Sequence, residues 1–185
     1  MKRGKFIMAG AAALIIPFAG SYAGTYQDAT EAFTVKSGET RNGKSFRMKG
    51  VSLNQLDLKI SSADTSGAIS VFEQTGFTPN GGPPLHIHPH QDEFFYVIEG
   101  KYHFSVGEDE YNLNQGDTIF LPRNVPHAFI QLTEKAKVLV SYTPSGKMED
   151  FFAVTDSWTS APDEELIKRT FADHDMIVVG PPIKV

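Results

Sequence analysis

The sequence of 185 residues contains no cysteine. Disulfide bonds, thiolate ligands and a lipid-modified cysteine are therefore excluded, so any metal site must use nitrogen and oxygen ligands. The chain also lacks a cluster of Lys and Arg residues, a helix-turn-helix pattern and a glycine-rich phosphate loop, and its formal net charge is −5. An acidic chain without these features is poorly suited to a phosphate backbone, so we expect no nucleic-acid partner.

The first 23 residues have the pattern of an export signal. Three basic residues lie among the first five, an apolar run follows over 6–18, and small residues precede a cleavage point after Ala23. The run is short for a membrane span, and a single N-terminal anchor is the alternative. Gly4 stands where a twin-arginine signal has its second arginine, which leaves both the Sec and the Tat route open. Cleavage would remove the three basic residues and take the charge from −5 to −8. We expect an exported protein, periplasmic or secreted, that is not inserted in a membrane after cleavage.

The length of the mature chain favours a single domain. We divide the sequence into a signal peptide, a polar segment with at most a short strand at 33–35, a barrel, and a C-terminal part packed on that barrel. The predicted boundaries of these four parts are 1–23, 24–43, 44–145 and 146–185.

Short segments with alternating apolar and polar residues, separated by turn residues, dominate the middle of the chain. This period of two is typical of strands with one buried face. No helical segment alternates with these strands, so an all-β fold, an antiparallel sandwich or barrel, is favoured over a parallel α/β sheet. The predicted strands cover 56–60, 69–73, a segment from 85, 93–99, 102–106, 111–113, 118–121, 127–132 and 138–142.

The composition changes after Pro144. Apolar residues at helical spacing predict short helices over 147–154 and 162–172, the second with an acidic first turn that suits the helix dipole. A closing strand is predicted over 176–179. We expect this tail to pack on the barrel or across a partner subunit.

Four residues have the spacing of a metal-ligand set: His86, His88, Glu93 and His127. Residues i and i+2 of a strand project from the same face, so His86 and His88 point together into the interior. Glu93 opens the next strand, and His127 lies about one hairpin further on. Three imidazoles and one carboxylate suit one divalent ion of Fe, Ni, Cu, Mn or Zn, whereas Ca²⁺ and Mg²⁺ prefer all-oxygen shells. Such a set leaves coordination positions open to water, O2 or substrate.

The remaining histidines are predicted to lie outside the ligand set. We expect His90 in a solvent-facing turn rather than as a fifth ligand. His103 lies on the strand face opposite its aromatic neighbours, which favours a hydrogen-bonded structural role. His174 lies between Asp173 and Asp175 and is expected at the surface.

Four further residues share a strand face with a ligand and are expected to line the interior near the metal. Core filling accounts for part of their role, and the functional interpretation is an apolar pocket with one amide that orients substrate or water. Two share the face of Glu93 and two share that of His127. These pocket residues are Phe95, Val97, Phe129 and Gln131.

The ligand spacing resembles the paired motifs of the cupin superfamily. The first motif, HxHxxxxExxxxxxG, ends at Gly100, and the second, GxxxxxPxNxxH, begins at Gly116 and ends at the fourth ligand. Asn124 and Asn80 stand where the family commonly has glycine, and neither departure touches a ligand. The resemblance implies a jelly-roll barrel, or double-stranded β-helix, with the metal inside one end.

Within the superfamily, the segment GGPPLHIHPHQDEFFYVIEG resembles single-domain cupins similar to quercetin dioxygenases. That resemblance implies a homodimer in which the metal binds a deprotonated flavonol, O2 adds to the ring, and Glu93 takes the hydroxyl proton. Our leading hypothesis is a metal-dependent dioxygenase for a small aromatic or enol-type substrate. The alternatives are a metal-dependent isomerase or lyase, for which inward Arg, Lys or Tyr groups are expected, and a non-catalytic binding protein.

Overall fold

A computed structural model describes residues 31–48 and 53–184. The predicted export signal, with the other residues up to position 30, lies outside this part and stays a prediction. Neither helix in the described ranges is long and apolar enough to cross a membrane.

The described residues form two antiparallel sheets that face each other. One sheet has the strand order β1-β2-β3-β10-β5-β8, and the other has the order β11-β4-β9-β6-β7. The first five strands are Ser45–Met48, Asn54–Ile60, Ser70–Gly76, Pro84–Ile87 and Asp92–Glu99, numbered β1 to β5. The next five are Lys101–Val106, Asp109–Asn114, Thr118–Leu121, His127–Gln131 and Ala136–Thr143, numbered β6 to β10. The tail adds α1 (Met148–Asp156), α2 (Glu164–Asp173) and β11 (Ile177–Pro182).

Alternating burial along the strands shows why this sequence folds into two packed sheets. In β5, Glu93, Phe95 and Val97 are buried, whereas Phe94 and Tyr96 on the opposite face are exposed. Each buried Phe or Val contributes about 1.5–3 kcal/mol relative to an exposed one. The predicted all-β, antiparallel jelly-roll barrel is confirmed, with its core between the two inner faces.

Two differences from the predicted strands concern the N-terminal part. The strand predicted at 33–35 is absent, because these residues run as coil in the described structure. The strand β1 was not predicted, since it is only four residues long and has a single buried apolar side chain, Phe46. It lies at the edge of its sheet and pairs with β2.

The tail does more than pack on the outside of the barrel. The predicted closing strand forms β11, which pairs with β4 through Ile177 and Val178. Residues beyond the predicted boundary at 145 therefore supply one strand of the second sheet. Asp163 caps α2 by accepting a hydrogen bond of 2.7 Å from the Leu166 backbone N–H. Both helices bury aromatic side chains against the barrel.

Candidate metal centre

The four predicted ligands converge at one end of the barrel. His86 lies on β4, His88 follows that strand, Glu93 lies on β5, and His127 begins β9. His86 and His127 are direct register partners. The potential ligand atoms all lie within 4.8 Å of one another, and each residue is at most 6 % exposed. Two atoms that bind one ion at about 2.1 Å are no more than about 4.2 Å apart, so shifts of a few tenths of an ångström close this set around a divalent transition metal.

Left-handed turns and one close backbone approach bring the ligand strands together. Asn80 and Asn124, which replace the family's glycines, have φ angles of 63° and 64°. Asparagine accepts this region better than most residues, so the turns are preserved. A Cβ added at Gly82 would lie 1.8 Å from the carbonyl oxygen of Phe129. Glycine at this position therefore allows the segment entering β4 to pass close to β9.

Hydrogen bonds fix which nitrogen of each imidazole is free for a metal. His86 Nδ1 donates to the Pro84 carbonyl at 2.8 Å, and His127 Nδ1 donates to the Val125 carbonyl at 3.0 Å. A carbonyl oxygen only accepts, so each Nδ1 must carry the proton. The lone pair of the neutral ring is then on Nε2, and such partners orient metal-bound histidines.

Gln91, which is not among the predicted site residues, orients the third imidazole. Its Nε2 donates to the carbonyl oxygens of Pro144 and Ser145 at 3.0 and 2.8 Å, which makes Oε1 the inward acceptor. His88 Nδ1 donates to that Oε1 at 3.0 Å. A Cβ on Gly146 would lie 2.6 Å from Gln91 Nε2, so the loop before α1 leaves room for this amide. The spacing of three residues from His88 was the only sequence signal for this role.

The electrostatics of the cluster favour the metal-binding protonation states of Glu93 and His86 but not of His88. Burial alone raises the pKa of Glu93, but the charges of His88 and His127 and their hydrogen bonds outweigh it and hold this pKa well below its usual range. Glu93 Oε1 lies 2.8 Å from His88 Nε2 and 3.1 Å from His127 Nε2. Burial and the neighbouring imidazoles lower the pKa of His86 well below its ordinary value. Burial lowers the pKa of His88, but the charge of Glu93 and the hydrogen bonds to Glu93 and Gln91 outweigh it, so this pKa is raised. Glu93 and His86 are therefore in the forms that metals require, whereas metal binding must compete with a proton on His88.

A cavity of about 50 Å³ adjoins the cluster. A cavity of about 150 Å³ holds benzene, so the space present accommodates water or a diatomic gas but no aromatic ring. Apolar side chains of the tail close its mouth. These are Met148, Phe151, Phe152, Phe171 and Met176.

The predicted pocket residues are only partly next to this cavity. Phe129 lines it, whereas Phe95, Val97 and Gln131 are not among the described residues of its wall. Gln131 lies at the far end of β9, where its Nε2 donates to the Thr133 carbonyl at 2.5 Å. Strand alternation predicted the inward face of these residues but not their depth in the barrel.

Three polar residues outside the predicted set line the cavity instead: Asn54, Gln74 and Tyr142. Tyr142 pairs directly with Glu93 across β10 and β5. Burial, followed by the charge of Glu93, raises the pKa of Tyr142 well above its usual range, so its hydroxyl stays protonated. Asn54, Gln74 and Tyr142 were not predicted to line the cavity, because each lies on a strand whose partner in the sheet cannot be predicted from sequence spacing.

The other histidines lie away from the cluster. His90 is exposed, as predicted. His103 contacts Asn112 Oδ1 at 2.9 Å and Glu110 Oε2 at 2.8 Å, which confirms its hydrogen-bonded role. The prediction for His174 is wrong, because this residue is only 9 % exposed and its Nδ1 donates to the Thr170 carbonyl at 2.7 Å.

Comparison with known proteins identifies the middle of the chain as a cupin domain, matched over residues 75–142. A quercetin 2,3-dioxygenase of Bacillus subtilis is 31% identical over 71 residues, which cover 38% of this chain and 21% of that protein. An uncharacterised protein of Streptomyces coelicolor is 33% identical over 57 residues, 30% of this chain and 54% of that protein. The chain therefore spans about a fifth of the length of the Bacillus subtilis protein and about half of the length of the Streptomyces coelicolor protein.

Solved structures agree with the fold. The structure of KdgF from Halomonas sp. has a TM-score of 0.50 and 14% identity and covers 61% of this chain and 94% of its own. An RmlC-like cupin from Shewanella frigidimarina has a TM-score of 0.50 and 16% identity, and the match covers 63% of this chain and 95% of that one. At this identity the likeness concerns the fold alone. The matched domain contains all four clustered ligands, so the domain at residues 75–142 of this chain belongs to the cupin superfamily.

Proposed function

We propose that this protein is a metal-dependent dioxygenase that acts on a small aromatic or enol-type substrate. The observation that carries the proposal is the buried cluster of three imidazoles and one carboxylate, three members of which, His86, His88 and Glu93, line a cavity with several aromatic side chains in its wall. The local similarity to a quercetin 2,3-dioxygenase supports the same reaction class.

The residues of the site divide into groups that hold the metal and groups that act on the substrate. A bound Fe, Ni, Cu or Mn ion would polarise the substrate hydroxyl and supply the site for O2. The imidazoles of His86, His88 and His127 hold that ion through Nε2. Glu93 accepts the hydroxyl proton on a carboxylate oxygen, and Tyr142 donates a hydrogen bond into the cavity from its protonated phenol. The tail side chains exclude bulk water.

The cavity wall argues against the alternative of an isomerase or lyase for an anionic metabolite. Among the described residues that line it there is no Lys or Arg, and a site built for a carboxylate or phosphate needs such groups.

A non-catalytic metal-binding protein is the second candidate. The volume of about 50 Å³ favours it, because no aromatic substrate fits beside the ligands unless the side chains of α1 and α2 move.

Metal analysis and oxygen uptake separate these functions. Protein purified without a tag is analysed for metal and then assayed with a panel of flavonols and catechols. We expect stoichiometric metal and substrate-dependent O2 consumption. No uptake by any redox-competent metal form would refute the dioxygenase and leave the binding protein.

The ligand assignment has its own test. His86→Ala and His127→Ala are expected to abolish metal retention, because each removes one Nε2 ligand. His90→Ala is the matched control and should keep its metal, since His90 is exposed. Equal loss in all three variants would show that the ligand set is assigned wrongly.

A further inference from the structure

Two side-chain amides in the metal cavity have no partner that explains them. Asn54 and Gln74 line the cavity and are 7 % and 5 % exposed. Within the described part of the chain, no hydrogen bond is found for either side-chain amide, and neither amide is fully enclosed, since the enclosed side-chain polar atoms without a partner there are Ser70 Oγ and Tyr102 OH. Buried amides are almost always hydrogen-bonded, because an unmet donor or acceptor keeps its full desolvation cost. The missing partner is therefore a molecule that enters the cavity.

The strand register places these amides away from the metal ligands. Gln74 pairs with Val138, which pairs with Val97 on β5. Val97 lies four residues beyond Glu93, which is about 13 Å along the strand. Asn54 projects beside Gln74, because Leu56 pairs with Gln74 and lies two residues further along β2. The cavity therefore has a metal end and an amide end.

The chemistry of the amide end selects an uncharged group. An amide offers both N–H donors and a carbonyl acceptor, so it can bind a hydroxyl or a carbonyl. Since the described cavity wall contains no Lys or Arg, an anionic group would lack a counter-charge there.

We propose that Asn54 and Gln74 determine specificity by binding a neutral hydroxyl or carbonyl group at the end of the substrate remote from the metal. This inference rests on the proposed function, because it takes the substrate to be an aromatic or enol compound held at the ligand cluster. Since the cavity of about 50 Å³ holds no aromatic ring as it stands, the side chains of α1 and α2 move when the substrate enters. Tyr142 and the metal then hold one end of that substrate, and the two amides hold the other.

Matched flavonols test the inference. The probes are 3-hydroxyflavone and its derivatives with one further hydroxyl at the 3′ or 4′ position. Binding is measured by absorbance with Zn(II)-loaded protein, since a redox-inert ion prevents turnover. We expect at least one hydroxylated derivative to bind about fivefold to tenfold more tightly than 3-hydroxyflavone, the effect of one added hydrogen bond.

The double variant Asn54→Leu/Gln74→Met should remove this preference. The affinity ratio falls to about one, while zinc content and the affinity for 3-hydroxyflavone stay unchanged. Thr75→Val is the matched control, because Thr75 lies on the other face of β3 and should keep the wild-type ratio. A ratio of one in the wild type, or an unchanged ratio in the double variant, would overturn the inference and leave bound water as the amides' partner.

Two further measurements, of thermal stability and of flavonol binding, test the same inference. Each single variant should have an unchanged or higher Tm, because a buried amide without a protein partner is replaced by an apolar group. A fall of several degrees would show that the amides bond within the protein, and would overturn the inference. Failure of the zinc protein to bind any flavonol would refute the proposed function itself, and the inference with it.

Discussion

Glu149 provides a test of how the C-terminal helices are fastened over the metal cavity. It lies in the first turn of α1 and is half-buried. Its Oε1 accepts hydrogen bonds from Ser61 Oγ at 2.8 Å and from the Ser62 backbone N–H at 2.7 Å, and its Oε2 accepts one from Lys44 Nζ at 2.9 Å. This carboxylate therefore ties α1 to the end of β2. The perturbation is Glu149→Gln, which keeps the shape and removes the charge.

The expected destabilisation follows from these three contacts. Hydrogen bonds to a charged acceptor are worth about 1.5–3 kcal/mol, against about 0.5–1.5 kcal/mol for neutral ones. The Lys44 bond contributes little, because the Lys44 side chain is 49% exposed. The remaining two bonds are weakened rather than lost, so we expect Glu149→Gln to cost about 1–2 kcal/mol. For a chain of this size that corresponds to a fall in Tm of roughly 2–8 °C.

The pH dependence of this effect has a definite sign. Burial raises the pKa of Glu149, but the bonds from Lys44, Ser62 and Ser61 outweigh it, so the pKa in the folded state is below its ordinary value of 4.5. A lowered pKa means that the stabilisation is complete above 4.5 and is lost as the pH falls through the folded-state value. The difference between wild type and Glu149→Gln should be constant from about pH 6 to 8 and shrink below 4.5.

Urea unfolding at a series of pH values measures this difference. Asp150→Asn is the matched control, because Asp150 lies in the same helical turn but is exposed. It should shift stability by no more than about 0.5 kcal/mol. A difference for Glu149→Gln that persists undiminished at pH 3, or that equals the control at pH 7, would refute the role given to this carboxylate.

Two further predictions concern the metal site and its cover. Gln91→Ala should lower zinc affinity about 10–100-fold in a chelator competition, since it removes the acceptor that orients His88. Gln115→Ala, at an exposed position, is the control and should leave zinc affinity unchanged. Equal zinc affinities of the two variants would contradict the role of Gln91. Phe151→Ala should lower the free energy of unfolding in urea by about 3–5 kcal/mol. It should also speed the binding of 3-hydroxyflavone in stopped-flow mixing, because it enlarges the cavity. Phe120→Ala, at an exposed position, should have neither effect, and an unchanged binding rate in Phe151→Ala would show that α1 does not limit access.

The ligand cluster could be predicted because it depends on local rules. Strand alternation places His86 and His88 on one face, and the turn after them returns the chain at Glu93. His127 was assigned through the second family motif, and the structure makes it the direct register partner of His86. The positions of His86, His88 and Glu93 follow from short spacings, whereas that of His127 rests on the resemblance to the second family motif.

The cavity wall could not be predicted in the same way. Gln131 and Phe129 lie on the same face of β9, yet only Phe129 reaches the cavity, because depth depends on the stagger between strands. Gln74 belongs to the wall through pairing with a strand more than 60 residues later. Long-range register of this kind leaves no periodic signal in the sequence.

His174 shows a second limit of local composition. Its acidic neighbours predicted exposure, but the end of α2 turns the imidazole inward, where its ring lies 5.6 Å from that of Phe151. Burial at a helix end depends on which direction the last turn faces. The flanking charges of Asp173 and Asp175 do not determine it.

The pairing of β11 with β4 has a consequence for the order in which the molecule forms. Val178 is the register partner of His86, so the strand that carries the first ligand is flanked on one side by residues made about ninety positions later. Contacts that are distant in sequence form late, because closing a long loop costs chain entropy first. The sheet that contains β4 is therefore complete only after the C-terminal residues of β11 have been synthesised. The strand of the first ligand therefore has its full support only when the C-terminal segment is in place.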